Sequence, residues 1–201
     1  MKFAQNSNTV FDRATADYHV SDHVDAPHPN PYDEGTIDHT LYAKNMIDAV
    51  QWHLEDIIRD PEIDPVEALA LKRRIDRSNQ ERTDMVEEID TYFRELYSGV
   101  KPDENATINT ESPAWALDRL SILALKIYHM KAEVSRIDAM PEHTAKCRAK
   151  LDVLLQQRED LTQAIDTLLE DISAGRKFMK VYRQMKMYND PDTNPILYGQ
   201  K

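Results

Sequence analysis

Residues 66–97, VEALALKRRIDRSNQERTDMVEEIDTYFRELY, decide the fold of this chain. Apolar side chains recur three and four residues apart, the spacing of a helix face that packs on a core: Leu71, Ile75, Met85, Val86, Ile89, Phe93 and Leu96. Asn79 and Arg82 fall on that same face. Because burying an amide or a guanidinium without partners is costly, both side chains must meet a polar partner or a ligand.

The composition favours long amphipathic helices. Only four of the 201 residues are glycine, and 30% are charged. The net charge of −11 is concentrated in residues 12–64, where thirteen acids outnumber Arg13, Lys44 and Arg59. This balance offers no basic face for duplex nucleic acid, so we expect no nucleic-acid binding.

Several absences in the sequence predict a cytoplasmic protein. A single cysteine, Cys147, cannot form an intrachain disulfide and favours a reducing compartment. The N-terminal residues lack the apolar region of a signal peptide. No run approaches the roughly 18 apolar residues of a membrane span, so none is expected.

Periodicity and helix-start signals predict an all-α, elongated antiparallel bundle of five to six helices, with residues 1–201 in one domain. The predicted helices span residues 3–20, 37–59, 66–97, 113–138, 141–174 and 176–188. Residues 21–36 are expected to form an irregular acidic connector, and residues 189–201 an extended tail. Ser112 and Pro113 mark the start of the fourth helix. That helix is apolar nearly all round and is expected at the bundle centre.

A heptad pattern runs along the fifth predicted helix. Its positions, which we call the heptad seam, are Cys147, Leu151, Leu154, Arg158, Leu161, Ile165, Leu168 and Ile172. A seam of nearly four heptads in so long a helix predicts self-association, with a homodimer favoured, or binding to another protein.

The segment QWHLED, residues 51–56, is the first candidate for chemistry. His53 and Asp56 are three residues apart on a helix, so they can touch and form a metal site or an oriented general base beside Trp52. The segment lacks the second histidine of a zincin motif. The alternative is a histidine at the core margin, held by a carboxylate and covered by Trp52, and no metal site is predicted.

Asn79 and Arg82 form the second candidate. Folding back at the DPEIDP turn, residues 60–65, places them opposite residues 44–47, so an ion pair between Arg82 and Asp48 is expected. Alternatively, both side chains face a cavity and bind a phosphate or carboxylate, which suits the guanidinium group.

The fourth helix supplies further polar candidates. Arg119 and Lys126 share one face, and His129 lies on another together with Asp118 and Ser121. A helix this apolar cannot solvate all of its charged groups, so some must be buried against polar partners. Elsewhere, His143 and Cys147 are four residues apart and could ligate a metal, but Cys147 lies on the heptad seam and is expected to be a core thiol.

Four stretches resemble a bacterial protein family from the Bacteroides and Cytophaga lineage, catalogued only as a domain of unknown function. They are YAKNMIDAVQWHLEDIIRDP, KRRIDRSNQERTDMVEEID, TESPAWALDRLSILALKIYHM and KMYNDPDTNPILYG. The DRLSILALK core, residues 118–126, is also similar to a second uncharacterised helical family. The resemblance implies a cytoplasmic bacterial protein in a setting near cell-surface polysaccharide genes, and it implies no activity.

Two function classes follow from the sequence. The first is a non-catalytic protein that associates with itself or with a partner, because no catalytic constellation is complete. The second is an enzyme or binding protein for a phosphorylated small molecule such as a nucleotide sugar, bound by Asn79, Arg82, Arg119 and Lys126. Catalytic residues and cofactors are not assigned. Whether those four side chains converge on one concave pocket discriminates between the two classes.

Overall fold

The structure, a computed structural model, describes residues 2–185, 187 and 190–199. Helices dominate it: α1 (Phe3–Ser21), α2 (Ile37–Ile57), α3 (Pro65–Leu96), α4 (Pro113–Ser135), α5 (Pro141–Ser173) and α6 (Pro195–Tyr198). Two short strands, β1 (Thr107–Ile108) and β2 (Lys177–Phe178), pair in parallel. The predicted all-α bundle is confirmed.

Local signals explain where the long helices begin. The side chain of Thr36 accepts a hydrogen bond from the His39 amide at the start of α2. Asp64 does the same for the first amides of α3, with Pro65 at the first helical position. The predicted start of α4 is confirmed, because the Ser112 hydroxyl accepts from the Trp115 amide. These side chains satisfy amides that have no partner within the helix.

The end of α5 depends on Gly175. This residue has a φ of +76°, which L side chains rarely adopt. A Cβ at this position would lie 2.8 Å from the Lys101 carbonyl oxygen. The Gly175 carbonyl in turn accepts a hydrogen bond from the Asp103 amide. The close approach of the loop before β1 therefore requires a glycine at this position.

Helix α4 lies at the centre of the bundle, as predicted. It contacts α1, α2, α3 and α5. Its side chains Leu117, Leu120 and Leu125 are fully buried. The main core cluster also takes Phe11 from α1 and Phe93 from α3. A helix that is apolar on all sides can stay out of water only in this position.

Helices α1, α2 and α4 run in the same direction, so corresponding ends of the three helices lie at the same end of the bundle. Asn6 at the start of α1 bonds Asp38 at the start of α2. His19 at the end of α1 lies beside His53 near the end of α2. These two helices therefore run in the same direction, since residues 22–36 return the chain along the bundle. The ion pair between Arg82 and Asp118 and the bond between Asp90 and Ser112 set α3 antiparallel to α4.

The heptad seam packs inside the chain. Cys147, Leu151, Ile165, Leu168 and Ile172 are buried, and α5 packs against α4 and α1. The polar member of the seam, Arg158, bonds Asn8 and Asp12 of α1. The seam therefore supplies internal packing between α5 and its neighbours in the same chain.

The helix predicted over residues 176–188 is wrong for its described part. Residues 177–178 form β2, and residues 179–185 are not helical. The Thr107 amide donates to the Arg176 carbonyl, so strand pairing satisfies this backbone instead. Cations three and four residues apart, such as Arg176, Lys177 and Lys180, would also repel along a helix. Lys186 and Tyr188 lie outside the described residues.

The tail and the helix ends differ slightly from expectation. The tail contains the short helix α6, whose first turn is capped by the side chain of Asn194, while Asn189, Gln200 and Lys201 lie outside the described residues. Helices α2 and α4 end two and three residues earlier than predicted. Within the described chain, no helix combines the length and apolar character needed to cross a membrane.

Candidate functional site

Three histidines from three helices meet near one end of the bundle. His19 comes from the last turn of α1, His53 from α2 and His129 from α4. One ligand-capable atom of each lies within 4.8 Å of the corresponding atoms of the other two. The Nε2 atoms of His19 and His53 are 3.3 Å apart. We call this group the histidine triad.

The three imidazole rings form a nearly regular triangle. Their centroids are 5.2 Å apart for His19 and His53, 5.1 Å for His19 and His129, and 5.4 Å for His53 and His129. The interplanar angles are 66°, 71° and 60°. The rings therefore meet edge to face rather than stacking on one another.

An aromatic ring holds each histidine from outside. Tyr128 stacks on His19 at 4.0 Å. Tyr18 stacks on His53 at 4.9 Å, and Trp52 stacks on His129 at 4.9 Å with an interplanar angle of 10°. Trp52 thus covers His129, and Tyr18 takes the place beside His53 that the sequence suggested for Trp52. These contacts restrict the imidazole orientations.

A hydrogen bond fixes the orientation of His19 in the triad. The Nδ1 atom of His19 lies 2.6 Å from the Thr15 carbonyl oxygen, which can only accept, so Nδ1 donates. In the neutral ring, Nε2 of His19 then carries a lone pair directed into the triangle. Nε2 of His129 is buried and, among the described residues, has no hydrogen-bond partner.

Burial favours the neutral forms of His53 and His129. Burial, together with the smaller effects of the neighbouring His19 and His53, lowers the pKa of His129 to about 4. Burial also lowers the pKa of His53, and the carboxylate of Asp22 opposes this shift. Near pH 7 both rings are therefore in the neutral form in which imidazole binds metal ions.

The carboxylate of Asp22 lies beside His53. Its Oδ1 atom lies 3.8 Å from Nε2 of His53. Asp22 ends α1 in the left-handed region, with a φ of 49°. The sequence suggested Asp56 for this role; Asp56 lines a neighbouring cavity, and its charge also raises the pKa of His53, less than Asp22 does.

A group of four charges, three of them buried and one half-buried, lies further along the bundle. Lys44 of α2 is fully buried and pairs with Asp48 and, at 2.7 Å, with Asp118 of α4. Arg82 of α3 pairs with Asp48 at 3.1 Å and with both carboxylate oxygens of Asp118. We call these side chains the charge quartet. Two cations and two anions make it electrically balanced.

The charge quartet contains one ion pair that the sequence predicted. The predicted ion pair between Arg82 and Asp48 is present, while Asp118 is a partner that the sequence did not assign to Arg82. Burial raises the pKa of Asp48, Lys44 lowers it, and the nearby carboxylate of Asp118 raises it further. Removing Lys44 would therefore favour protonation of this carboxyl.

A chain of neutral hydrogen bonds continues from the quartet towards α1. Ser121 donates to Asp48 at 2.6 Å. Asn45 donates to the Ser121 hydroxyl at 2.8 Å, and Thr15 donates to Asn45 at 2.9 Å. All four side chains are buried. This polar chain joins α1, α2 and α4 at one level of the bundle.

The other proposed anion-binding residues are not brought together. Asn79 accepts a hydrogen bond from Gln51. Arg119 is exposed and pairs with Glu111. Lys126 lines a cavity that includes none of Asn79, Arg82 or Arg119. The four side chains therefore do not form one pocket.

Two cavities flank Trp52. The larger, of about 590 Å³, lies between α4 and α5 and is lined by Trp52, Lys126, His129, Met130, Glu133, Ala149, Lys150, Val153, Leu154 and Gln157. The smaller, of about 340 Å³, is lined by Asp48, Gln51, Trp52, Glu55, Asp56, Arg59, Arg82 and Ile122. Trp52, Lys126 and His129 are thus gathered at the larger cavity.

A second group of ligand-capable side chains joins α4 to α5. His143 lies 2.8 Å from Glu133 and 3.3 Å from the sulfur of Cys147. The hydrogen bond from His143 lowers the pKa of Glu133. Both contacts use the same nitrogen of His143. The histidine of a catalytic triad contacts its two partners through different nitrogens, so this group does not have the geometry of a catalytic triad. Cys147 is buried on the seam, as expected.

Sequence reasoning missed His19 because each helix contributes a single histidine. No spacing motif links residues 19, 53 and 129, and only the tertiary fold brings them together. The signal available was Thr15 to His19, an i,i+4 pair on the buried face of α1.

A comparison with known families covers most of the chain. Residues 38–181 match the family described as "Protein of unknown function (DUF4254)". No curated protein and no solved structure matches the chain. The matched segment contains the charge quartet, His53 and His129, whereas His19 precedes it. Because the match spans well over half of the residues, the chain belongs to this family of proteins of unknown function, DUF4254.

Proposed function

We propose that the chain binds a small molecule with an apolar body and an anionic group in the larger cavity between α4 and α5. The observation that carries this proposal is an apolar wall beside two lysines that have no ion-pair partner among the described residues. Trp52, Met130, Val153 and Leu154 supply apolar surface. Ligand sites in proteins are typically concave, largely apolar and of this volume.

The two cations are Lys126 of α4 and Lys150 of α5. Both line the cavity and both are exposed. In the part of the chain that the structure describes, neither forms an ion pair with a carboxylate. Glu133, which shares the cavity, is already engaged by Arg136 and His143. An anionic ligand would therefore meet uncompensated positive charge.

This proposal keeps the ligand class of the sequence analysis, a phosphorylated small molecule such as a nucleotide sugar, but changes the residues that bind it. Lys126, Trp52 and His129 remain, while Arg82 belongs to the charge quartet. A link to cell-surface polysaccharide synthesis, which the family resemblance implies, remains a prediction.

Ligand binding should raise the melting temperature, and the effect should require the phosphate. We expect 1-naphthyl phosphate or UDP-glucose to stabilise the protein, while 1-naphthol and glucose stabilise it less. At a hundred times the Kd, a ligand adds about 2.7 kcal/mol to the free energy of unfolding. Differential scanning fluorimetry measures the shift.

Matched lysine substitutions test the position of the ligand. Lys126→Gln and Lys150→Gln should each reduce the shift. Lys146→Gln, an exposed lysine of α5 outside the cavity, should leave it unchanged. If no phosphorylated compound stabilises the protein, or if Lys146→Gln weakens binding as much as Lys150→Gln, the proposed cavity is wrong.

We also propose self-association, through the exposed start of α3. Val66 and Leu69 are 77% and 53% exposed in the first turns of this long helix. Exposed apolar side chains that are close together favour contact between copies. At tens of micromolar, analytical ultracentrifugation should show a dimer. Leu69→Glu should shift it towards monomer while its circular dichroism spectrum stays that of the folded native protein, whereas a native protein that sediments as a monomer contradicts the proposal.

A further inference from the structure

We propose that the histidine triad binds one divalent ion of the zinc class, at the end of the bundle where α1, α2 and α4 meet. This inference goes beyond the ligand cavity and does not depend on it. His129 belongs to the histidine triad and also lines the ligand cavity, but its Nε2 atom is buried.

The distances fit a tetrahedral ion. A Zn–N bond of about 2.0–2.1 Å places two ligating nitrogens about 3.3–3.4 Å apart. The Nε2 atoms of His19 and His53 are 3.3 Å apart. The same geometry places imidazole centroids about 5 Å apart, and the three observed separations are 5.2, 5.1 and 5.4 Å.

The hydrogen bonds fit metal ligation better than a simple contact between histidines. His19 donates Nδ1–H to the Thr15 carbonyl, the usual outer contact of a metal-bound histidine, and leaves Nε2 free to ligate. A hydrogen bond from His53 to His19 would satisfy those two rings. It would leave buried Nε2 of His129 without a partner among the described residues. One ion satisfies all three nitrogens.

The ligand set selects the type of ion. Neutral imidazole suits Zn²⁺, Co²⁺ and Ni²⁺, whereas Mg²⁺ and Ca²⁺ prefer oxygen ligands. Three protein ligands leave one tetrahedral position open, as in zinc sites that bind water or a substrate. The Asp22 carboxylate, 3.8 Å from Nε2 of His53, adds negative charge that favours a cation.

Metal titration of the full chain, free of any affinity tag and stripped with EDTA, tests the proposal. We expect one Zn²⁺ per chain by isothermal titration calorimetry, reversed by EDTA. Co²⁺ should give the visible absorption of a tetrahedral nitrogen site. Mg²⁺ and Ca²⁺ should not bind.

Histidine variants locate the ion. His19→Gln and His53→Gln should each weaken Zn²⁺ binding more than about 100-fold, beyond the loss typical of an outer-shell change. His143→Gln, which removes the histidine of the second group on α4 and α5, should keep one ion per chain. Circular dichroism confirms that each variant is folded. If one Zn²⁺ still binds tightly to the folded His19→Gln/His53→Gln protein, or is lost in His143→Gln, the assignment is overturned.

Discussion

Replacing Lys44 by methionine should lower the free energy of unfolding by about 3–5 kcal/mol, the cost of breaking a buried ion pair from one side. The Lys44 side chain is fully buried between Asp48 and Asp118. Without it, Arg82 alone faces two buried carboxylates. Urea unfolding followed by circular dichroism measures the loss.

A double substitution separates charge imbalance from lost packing. Lys44→Met with Asp48→Leu leaves the pair of Arg82 and Asp118, which is neutral again. Replacing both partners by apolar groups is often nearly neutral, so most of the lost stability should return. Lys72→Met, which breaks an exposed pair with Asp76, is the matched surface control and should change little. A Lys44→Met protein as stable as the native one would contradict the role given to the quartet.

The loss in Lys44→Met should depend on pH. Burial already raises the pKa of Asp48, and removing the neighbouring cation raises it further. A carboxyl whose folded pKa is raised binds more protons in the folded state. Its destabilising effect therefore grows as the pH rises above the ordinary carboxyl pKa and fades as the pH falls. The gap between Lys44→Met and native protein should be smaller in mildly acidic buffer than at pH 7.

Ile165→Glu should unfold the chain rather than produce a soluble monomer. Ile165 is 1% exposed on the heptad seam and belongs to the main core cluster. A carboxylate there would be buried without a partner, a change that costs more than about 4 kcal/mol. Far-ultraviolet circular dichroism and sedimentation of the purified variant measure the outcome.

The outward side of α5 provides the control for this substitution. Leu155 is 37% exposed, so Leu155→Glu should change the free energy of unfolding by about 0.5 kcal/mol. A folded, monomeric Ile165→Glu protein would mean that the seam is a surface between copies. Loss of structure in Ile165→Glu alone would support the internal packing seen in the structure.

Much of the fold could be predicted from local patterns. The Ser112 and Pro113 start signal, the all-round apolar character of α4 and the closing Gly175 each depend on neighbouring residues. Local sequence is therefore enough to identify them. The ion pair between Arg82 and Asp48 followed from counting residues back from a single turn, which works because α2 and α3 are consecutive.

The candidate site depends on contacts that no local pattern reveals. His19 and His129 are 110 residues apart, and α1 reaches His53 only because residues 22–36 return the chain along the bundle. The helix predicted over residues 176–188 failed for a similar reason. Its backbone pairs with residues 107–108, and that partner lies far away in sequence.

The polar chain from Thr15 to Asp48 has a geometric consequence for the histidines. His53 lies eight residues beyond Asn45, and His129 lies eight residues beyond Ser121, so each is about 12 Å further along its helix. His19 lies one turn beyond Thr15. If one helix slid by a turn, about 5.4 Å, its hydrogen bonds in the polar chain would break and its histidine would leave the triangle. The polar chain thus fixes how the three helices are aligned along their axes. This alignment sets the positions of the three imidazoles.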